Sequence, residues 1–140
     1  MDPLKSGLNE LNKWLARKDL TLSIVIIGAY ALVLKKLPRS ETTQDIDTVV
    51  RIDENILHQI GVIAESLGLP YRWLNDQASN ITLPKGLIER AEPNNQWSNI
   101  KLKVATRKDL IILKASAFVY RRDIDDKDYH DLLLLNPRFV

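Results

Sequence analysis

Leu22-Ser23-Ile24-Val25-Ile26-Ile27-Gly28-Ala29-Tyr30-Ala31-Leu32, followed by Asp45-Ile46-Asp47-Thr48-Val49-Val50-Arg51-Ile52, is the part of the chain on which the fold reading turns. The β-branched run over 22–27 stopped by Gly28 suits a buried strand, and 29–36 reads as a short helix. Residues 45–52 read as a second strand. Side chains alternate along a strand, so Asp45 and Asp47 fall on one face and Ile46 on the other.

Two carboxylates that close raise each other's pKa unless a cation supplies the opposite charge, so one reading of the pair is a metal site. The other is structural: Asp45 caps the loop and Asp47 pairs with Arg39 or Arg51. The strand–Gly28–helix unit upstream allows the same two kinds of reading. Free N–H groups at a helix start bind anions, whereas a glycine at that point also serves any tight turn. The pairing of the glycine turn with the Asp-x-Asp strand is the stronger signal.

Working outward, Leu4, Leu8, Leu11, Trp14 and Leu15 recur at helical spacing and predict an amphipathic helix over 3–18 that covers the sheet. A further helix is expected over 54–67, capped by Asp53 and ended by Gly68. Short strands are expected near 81–83 and 86–90, among loops marked by Pro84 and Pro93. Residues 100–104 alternate as a strand. Thr106 and Asp109 then form a capping box for a helix running to about residue 121, and a last helix is expected over 126–135. The expectation is an α+β fold with a mixed sheet packed against helices, in a single domain spanning 1–140.

Composition narrows the chemistry. Twenty basic residues against eighteen acidic ones leave a net charge of +2, too little to drive a dedicated duplex-DNA binder. With no cysteine, a metal would be held by carboxylates or the two histidines, which favours a hard cation such as Mg²⁺. Trp14, Trp73 and Trp97 are scattered, not set in a basic stripe, which argues against a base-stacking nucleic-acid domain. Met1-Asp2-Pro3-Leu4-Lys5 lacks an apolar leader and no stretch is long enough to span a membrane, so a cytoplasmic location is expected.

Ile26-Ile27-Gly28-Ala29-Tyr30-Ala31-Leu32, then Arg39, Thr42 or Thr43, and Asp45-Ile46-Asp47 resemble the signature of bacterial nucleotidyltransferase-like proteins of the polymerase-β superfamily. Toxins of abortive-infection toxin–antitoxin systems are among these. Asp109-Leu110, Lys114, Ala117, Arg121 or Arg122, Asp128, Asp131 and Leu132 follow that family's later motifs. Trp73-Leu74-Asn75-Asp76, Leu83-Pro84 and Glu89-Arg90 in the middle are also similar. The likeness covers about residues 20 to 136.

The resemblance implies metal-dependent transfer of a nucleotide from an NTP to an RNA, protein or small-molecule acceptor. Asp45 and Asp47 would hold Mg²⁺ or Mn²⁺, with Lys114 as a further catalytic residue. Gly28, Ala29, Tyr30, Thr43, Lys114 and Arg121 would bind the nucleotide. A cognate antitoxin or other partner protein is also implied. Independently of the likeness, Lys114 and Arg121 share a helix face that is either directed at phosphate or a solvated basic edge.

Two departures from the pattern favour an alternative, a catalytically inactive module of the same fold acting in protein interaction or regulation. Ala29 stands where many members carry serine. The third carboxylate usual on a later strand is also missing from 81–83 and 100–104, leaving Asp76, Glu89 and Glu92 as candidates.

Overall fold

The computed structural model describes residues 2–37 and 43–120. Arg39, Thr42, Arg121, Arg122, Asp128, His130 and Asp131, and the helix expected over 126–135, lie outside the described residues.

Helix α1 (Pro3–Arg17) opens on Asp2, whose carboxylate accepts the Leu4 and Lys5 amides at 3.1 and 3.2 Å. Such a cap satisfies amides that have no partner within the helix. The predicted stripe turns inward: Leu4, Leu8, Leu11 and Leu15 are buried, each contributing roughly 2 kcal/mol through burial. Polar contacts fasten the same helix to the segment before the last strand. The Trp97 indole donates to Asn9 Oδ1 at 2.8 Å and the Asn99 amide to Asn12 Oδ1 at 2.7 Å.

Strand β1 (Leu22–Ile27) runs into helix α2 (Ala29–Leu34), and strand β2 (Ile46–Thr48) follows. Helix α3 (Glu54–Leu67) begins at Asp53, which accepts the Asn55 amide, and ends at Gly68 in the left-handed region, as predicted. Next come strand β3 (Leu74–Asn75), a 3-10 turn (Gln77–Asn80), helix α4 (Leu87–Arg90), strand β4 (Glu92–Asn94), strand β5 (Ile100–Val104) and helix α5 (Arg107–Tyr120).

The five strands form one mixed sheet in the order β3-β2-β1-β5-β4. β1 is central, antiparallel to β2 and parallel to β5. β3 lies parallel to β2 at one edge and β4 antiparallel to β5 at the other. Ile24, Ile26, Leu102, Val104, Ile46 and Leu74 join the leucines of α1 and Ile56, Ile60 and Ile63 of α3 in one core. The expected α+β architecture with a mixed sheet is therefore the one observed.

Several local expectations are corrected. The second strand covers only Ile46–Thr48 and not 45–52. Thr48 Oγ1 accepts the Val25 amide at 3.0 Å and the Val50 amide at 3.2 Å, so a side chain takes the Val25 donor from the ladder, leaving the Val49 amide to bond the Val25 carbonyl at 3.0 Å where the regular strand ends. Val49 and Ile52 remain buried, which is why the apolar pattern runs past the strand's end.

Residues 81–83 are not a strand, and 86–90 forms α4 after Gly86 enters the left-handed region at φ +82°. The strands of this region are β3 and β4, two and three residues long. Pro93 within β4 fits an edge position, because proline has no amide to give a central ladder.

Candidate functional site

Ile27 of β1 pairs with Asp47 of β2, so the residue after Ile27 is carried past the Asp47 side chain. That residue is Gly28, with φ +75° and ψ −160°, a backbone region open essentially to glycine alone. A Cβ built on Gly28 would lie 2.9 Å from Asp47 Oδ2. Conformation and space thus both require glycine. α2 begins at this point with no side chain capping its first amides, while the Ala31 amide bonds the Gly28 carbonyl at 3.1 Å. The strand, glycine turn and carboxylate expected from the sequence are in contact.

Asp47 is half-buried, and its Oδ1 accepts the Asn75 Nδ2 at 3.2 Å. Asn75, which faces Asp47 across the β2–β3 ladder, is buried. Its Nδ2 also donates to the Arg72 carbonyl at 3.2 Å, while its Oδ1 accepts the Gln77 amide at 3.2 Å. The Gln77 amide has to meet the amide oxygen, which turns the Asn75 nitrogen toward Asp47. Two elements therefore set the carboxylate: β3 grips one oxygen and the Gly28 turn lies against the other.

Asp45 is exposed immediately before β2. Thr43 is half-buried, and its hydroxyl donates to the Asp45 carbonyl at 3.1 Å, shaping the approach to the strand. Ala29 and Tyr30 are buried. The Tyr30 hydroxyl is taken up by Asp2, donating to its Oδ2 at 2.7 Å. Burial, and then the Asp2 carboxylate that accepts its hydrogen bond, push the Tyr30 phenol well above its ordinary value. Lys114 is half-buried on α5, one turn beyond buried Leu110.

The three candidates for a further carboxylate have other surroundings. Asp76 Oδ2 accepts the Ile52 amide at 2.8 Å, and Glu92 pairs with Lys35 at 3.2 Å. Glu89 is exposed on α4. On the strand next to β2 the position facing Asp47 is the amide of Asn75. Among the described residues no group of three His, Cys, Asp or Glu side chains is placed to hold a metal. Mg²⁺ commonly takes only one or two protein carboxylates and completes its shell with phosphate and water. Asp47 beside a cradle that a Cβ would fill fits that pattern, while Asp45 lies just outside β2 and not on a strand face shared with Asp47 as expected.

Two features escaped the sequence reading. Asn75 entered only as part of the Trp73–Asp76 stretch of the resemblance and was given no role, because its role depends on strand pairing. Asp109, expected only to cap α5, is buried and bound bidentately by Arg90, with Nε 3.0 Å from Oδ2 and Nη2 2.7 Å from Oδ1. Thr106 completes the capping box, its hydroxyl donating to Asp109 Oδ2 at 2.9 Å and accepting the Asp109 amide at 3.2 Å. The Arg90 guanidinium, more than Thr106, holds the Asp109 carboxyl below the usual carboxylate range. Glu89-Arg90 and Asp109-Leu110, two of the motifs that carried the resemblance, thus meet in a clamp between α4 and α5.

A mixed sheet whose central strand delivers a glycine turn against an aspartate of the neighbouring strand is compatible with a nucleotidyltransferase-like fold. A family model described as "Nucleotidyltransferase of unknown function (DUF6036)" matches residues 3–135, and the chain belongs to that family. No curated protein and no solved structure matches it. Among the described residues no helix is long and apolar enough to cross a membrane.

Proposed function

We propose that this chain binds an NTP with a divalent cation at the Gly28 turn and transfers its nucleotidyl group to an RNA, protein or small-molecule acceptor. The observation that carries the reading is the contact of Asp47 Oδ2 with the open side of Gly28, which makes an anion-accepting turn and a cation-accepting carboxylate neighbours. Asp45 and Asp47 would hold Mg²⁺ or Mn²⁺. When bound, such a cation polarises the α-phosphate and offsets charge on the leaving pyrophosphate.

The chain's own part is positioning. The amides at Gly28, Ala29 and Tyr30 receive phosphate oxygens, and Asn75 keeps the Asp47 carboxylate in one orientation. Thr43 shapes the approach to Asp45, and Lys114 and Arg121 add positive charge. The acceptor oxygen bonds to the α-phosphorus, the bond to the β-phosphate oxygen breaks, and pyrophosphate leaves.

Calorimetric titration with Mg²⁺ and each NTP tests binding: it is lost in Asp47→Asn, and equal binding by wild type and variant overturns the assignment. Incubation with radiolabelled NTP and bulk cellular RNA or protein tests transfer, which requires label on an acceptor that disappears in Asp47→Asn.

A second reading is favoured by Asn75. An amide, not an acid, faces Asp47 from β3, and a site of this kind holds nucleotide without turnover while the domain acts through a partner protein such as a cognate antitoxin. Measurable NTP binding with no labelled acceptor selects it.

A further inference from the structure

The strand order sets the Gly28 turn between two neighbours, β2 on one side of β1 and β5 on the other. On the β2 side the turn meets Asp47. On the β5 side the strands run parallel with Ile26 opposite Val104, and the Ala105 amide donates to the Ile26 carbonyl at 3.1 Å. Carried two residues on, this register brings Thr106 abreast of Gly28, about one strand spacing (~4.8 Å) away. The next two residues are basic and exposed: Arg107 and Lys108 open α5 beside the turn.

The rotation of α5 decides which of them faces the turn. Successive helix residues are turned by about 100°, so Arg107 and Asp109 lie about 200° apart, on opposite sides of the helix. Asp109 is buried and gripped by Arg90, which ends α4 just before β4. Because β4 lies beyond β5 as seen from β1, the clamp holds the Asp109 side of α5 away from β1. The Arg107 side is thereby set toward β1 and its glycine turn. Asp109 is also the acid of the α5 first turn, and Arg90 already engages it.

We infer that Arg107 binds the β and γ phosphates of the NTP, closing the phosphate site from the side opposite Asp47. A guanidinium offers phosphate oxygens two parallel N–H donors, which suits it to this task better than an ammonium. With a cation at Asp47 and Arg107 across the turn, the triphosphate lies from β2 to β5, its pyrophosphate end over the exit of β5. The inference rests on the phosphate and metal reading of Gly28 and Asp47, and adds to it the residue that receives the leaving group.

The test measures binding of an NTP and of inorganic tripolyphosphate, each with Mn²⁺, by calorimetry. Both should bind the wild type, and Asp47→Asn should weaken both. Arg107→Ala should weaken both about ten-fold or more, as loss of a charged hydrogen-bonding partner does, and Arg107→Lys should recover part of the loss. Lys108→Ala removes the same charge one residue on, about 100° around the helix, and should leave both probes nearly unchanged. Thermal melts confirm folding, which the exposure of Arg107 protects.

Unchanged affinities in Arg107→Ala, with binding still dependent on Asp47, overturn the inference and leave the phosphate and metal reading standing. An equal loss in Lys108→Ala reduces the effect to general charge, and a loss confined to the NTP moves Arg107 to the nucleoside; either overturns the assignment. Weakening of both probes in Arg107→Ala without any effect of Asp47→Asn keeps the arginine and overturns the cation site. Failure of the wild type to bind either probe overturns both.

Discussion

Replacing Gly28 with alanine tests the central contact most directly. The glycine sits at φ +75° and ψ −160°, and a residue forced to keep such a conformation costs about 1–3 kcal/mol. The new methyl also lands 2.9 Å from Asp47 Oδ2, closer than real contacts allow, so the carboxylate must move against the Asn75 hydrogen bond that fixes Oδ1. For a chain of this size each kcal/mol lowers Tm by roughly 3 °C, which gives a drop of about 3–10 °C. A double-mutant cycle with Asp47→Ala separates the two costs. Removing the carboxylate relieves the collision but not the backbone strain, so the pair should couple by about 0.5 kcal/mol or more. Urea unfolding of the four proteins measures it. Full stability in Gly28→Ala, or additivity to within about 0.3–0.5 kcal/mol, would refute the geometry on which the proposed function rests.

Asn75→Asp sets a second carboxylate at the 3.2 Å contact with Asp47 and should destabilise the fold at neutral pH, with millimolar Mn²⁺ restoring Tm; no difference in metal response from wild type contradicts the cation site. Tyr30→Phe removes a 2.7 Å hydrogen bond to a carboxylate and should cost about 1.5–3 kcal/mol in urea unfolding, an effect absent in an Asp2→Ala background. Asp109 has its folded pKa depressed, so its contribution is fully present above the ordinary carboxylate pKa of ~4 and is lost as pH falls through the depressed value. The urea midpoint of wild type should therefore fall more steeply on acidification than that of Asp109→Asn, and parallel acid limbs would show that the Arg90 pair does not act as described.

What the sequence made legible was whatever depends on local periodicity and punctuation. β1 runs from Leu22 to Ile27 as read, because a β-branched run ended by glycine admits few alternatives, and α1 and α3 follow from their apolar stripes and caps. The adjacency of Gly28 and Asp47 was readable as motif but not as distance, since it depends on Ile27 pairing with Asp47. β3 and β4 were missed because strands of two and three residues carry no period, and their pairing comes from neighbours far along the chain. The role of Asn75, quoted only as part of the resemblance, was hidden for the same reason. The helix at 87–90 was misread as a strand because so short a segment cannot separate the two periodicities, and the turn at Gly86 decided it.

The Asn75–Asp47 contact has an evolutionary side. Asparagine and aspartate side chains have nearly the same shape, and their codons differ by one base. The grip on Asp47 also leaves the Asn75 side chain buried at a fixed place on β3, so an acid there would need little repacking. What it would need is a cation to cancel the added charge. Under the proposed function, a single base change in the Asn75 codon would therefore change the number of carboxylates at the site, and bound metal would decide whether the fold tolerates it.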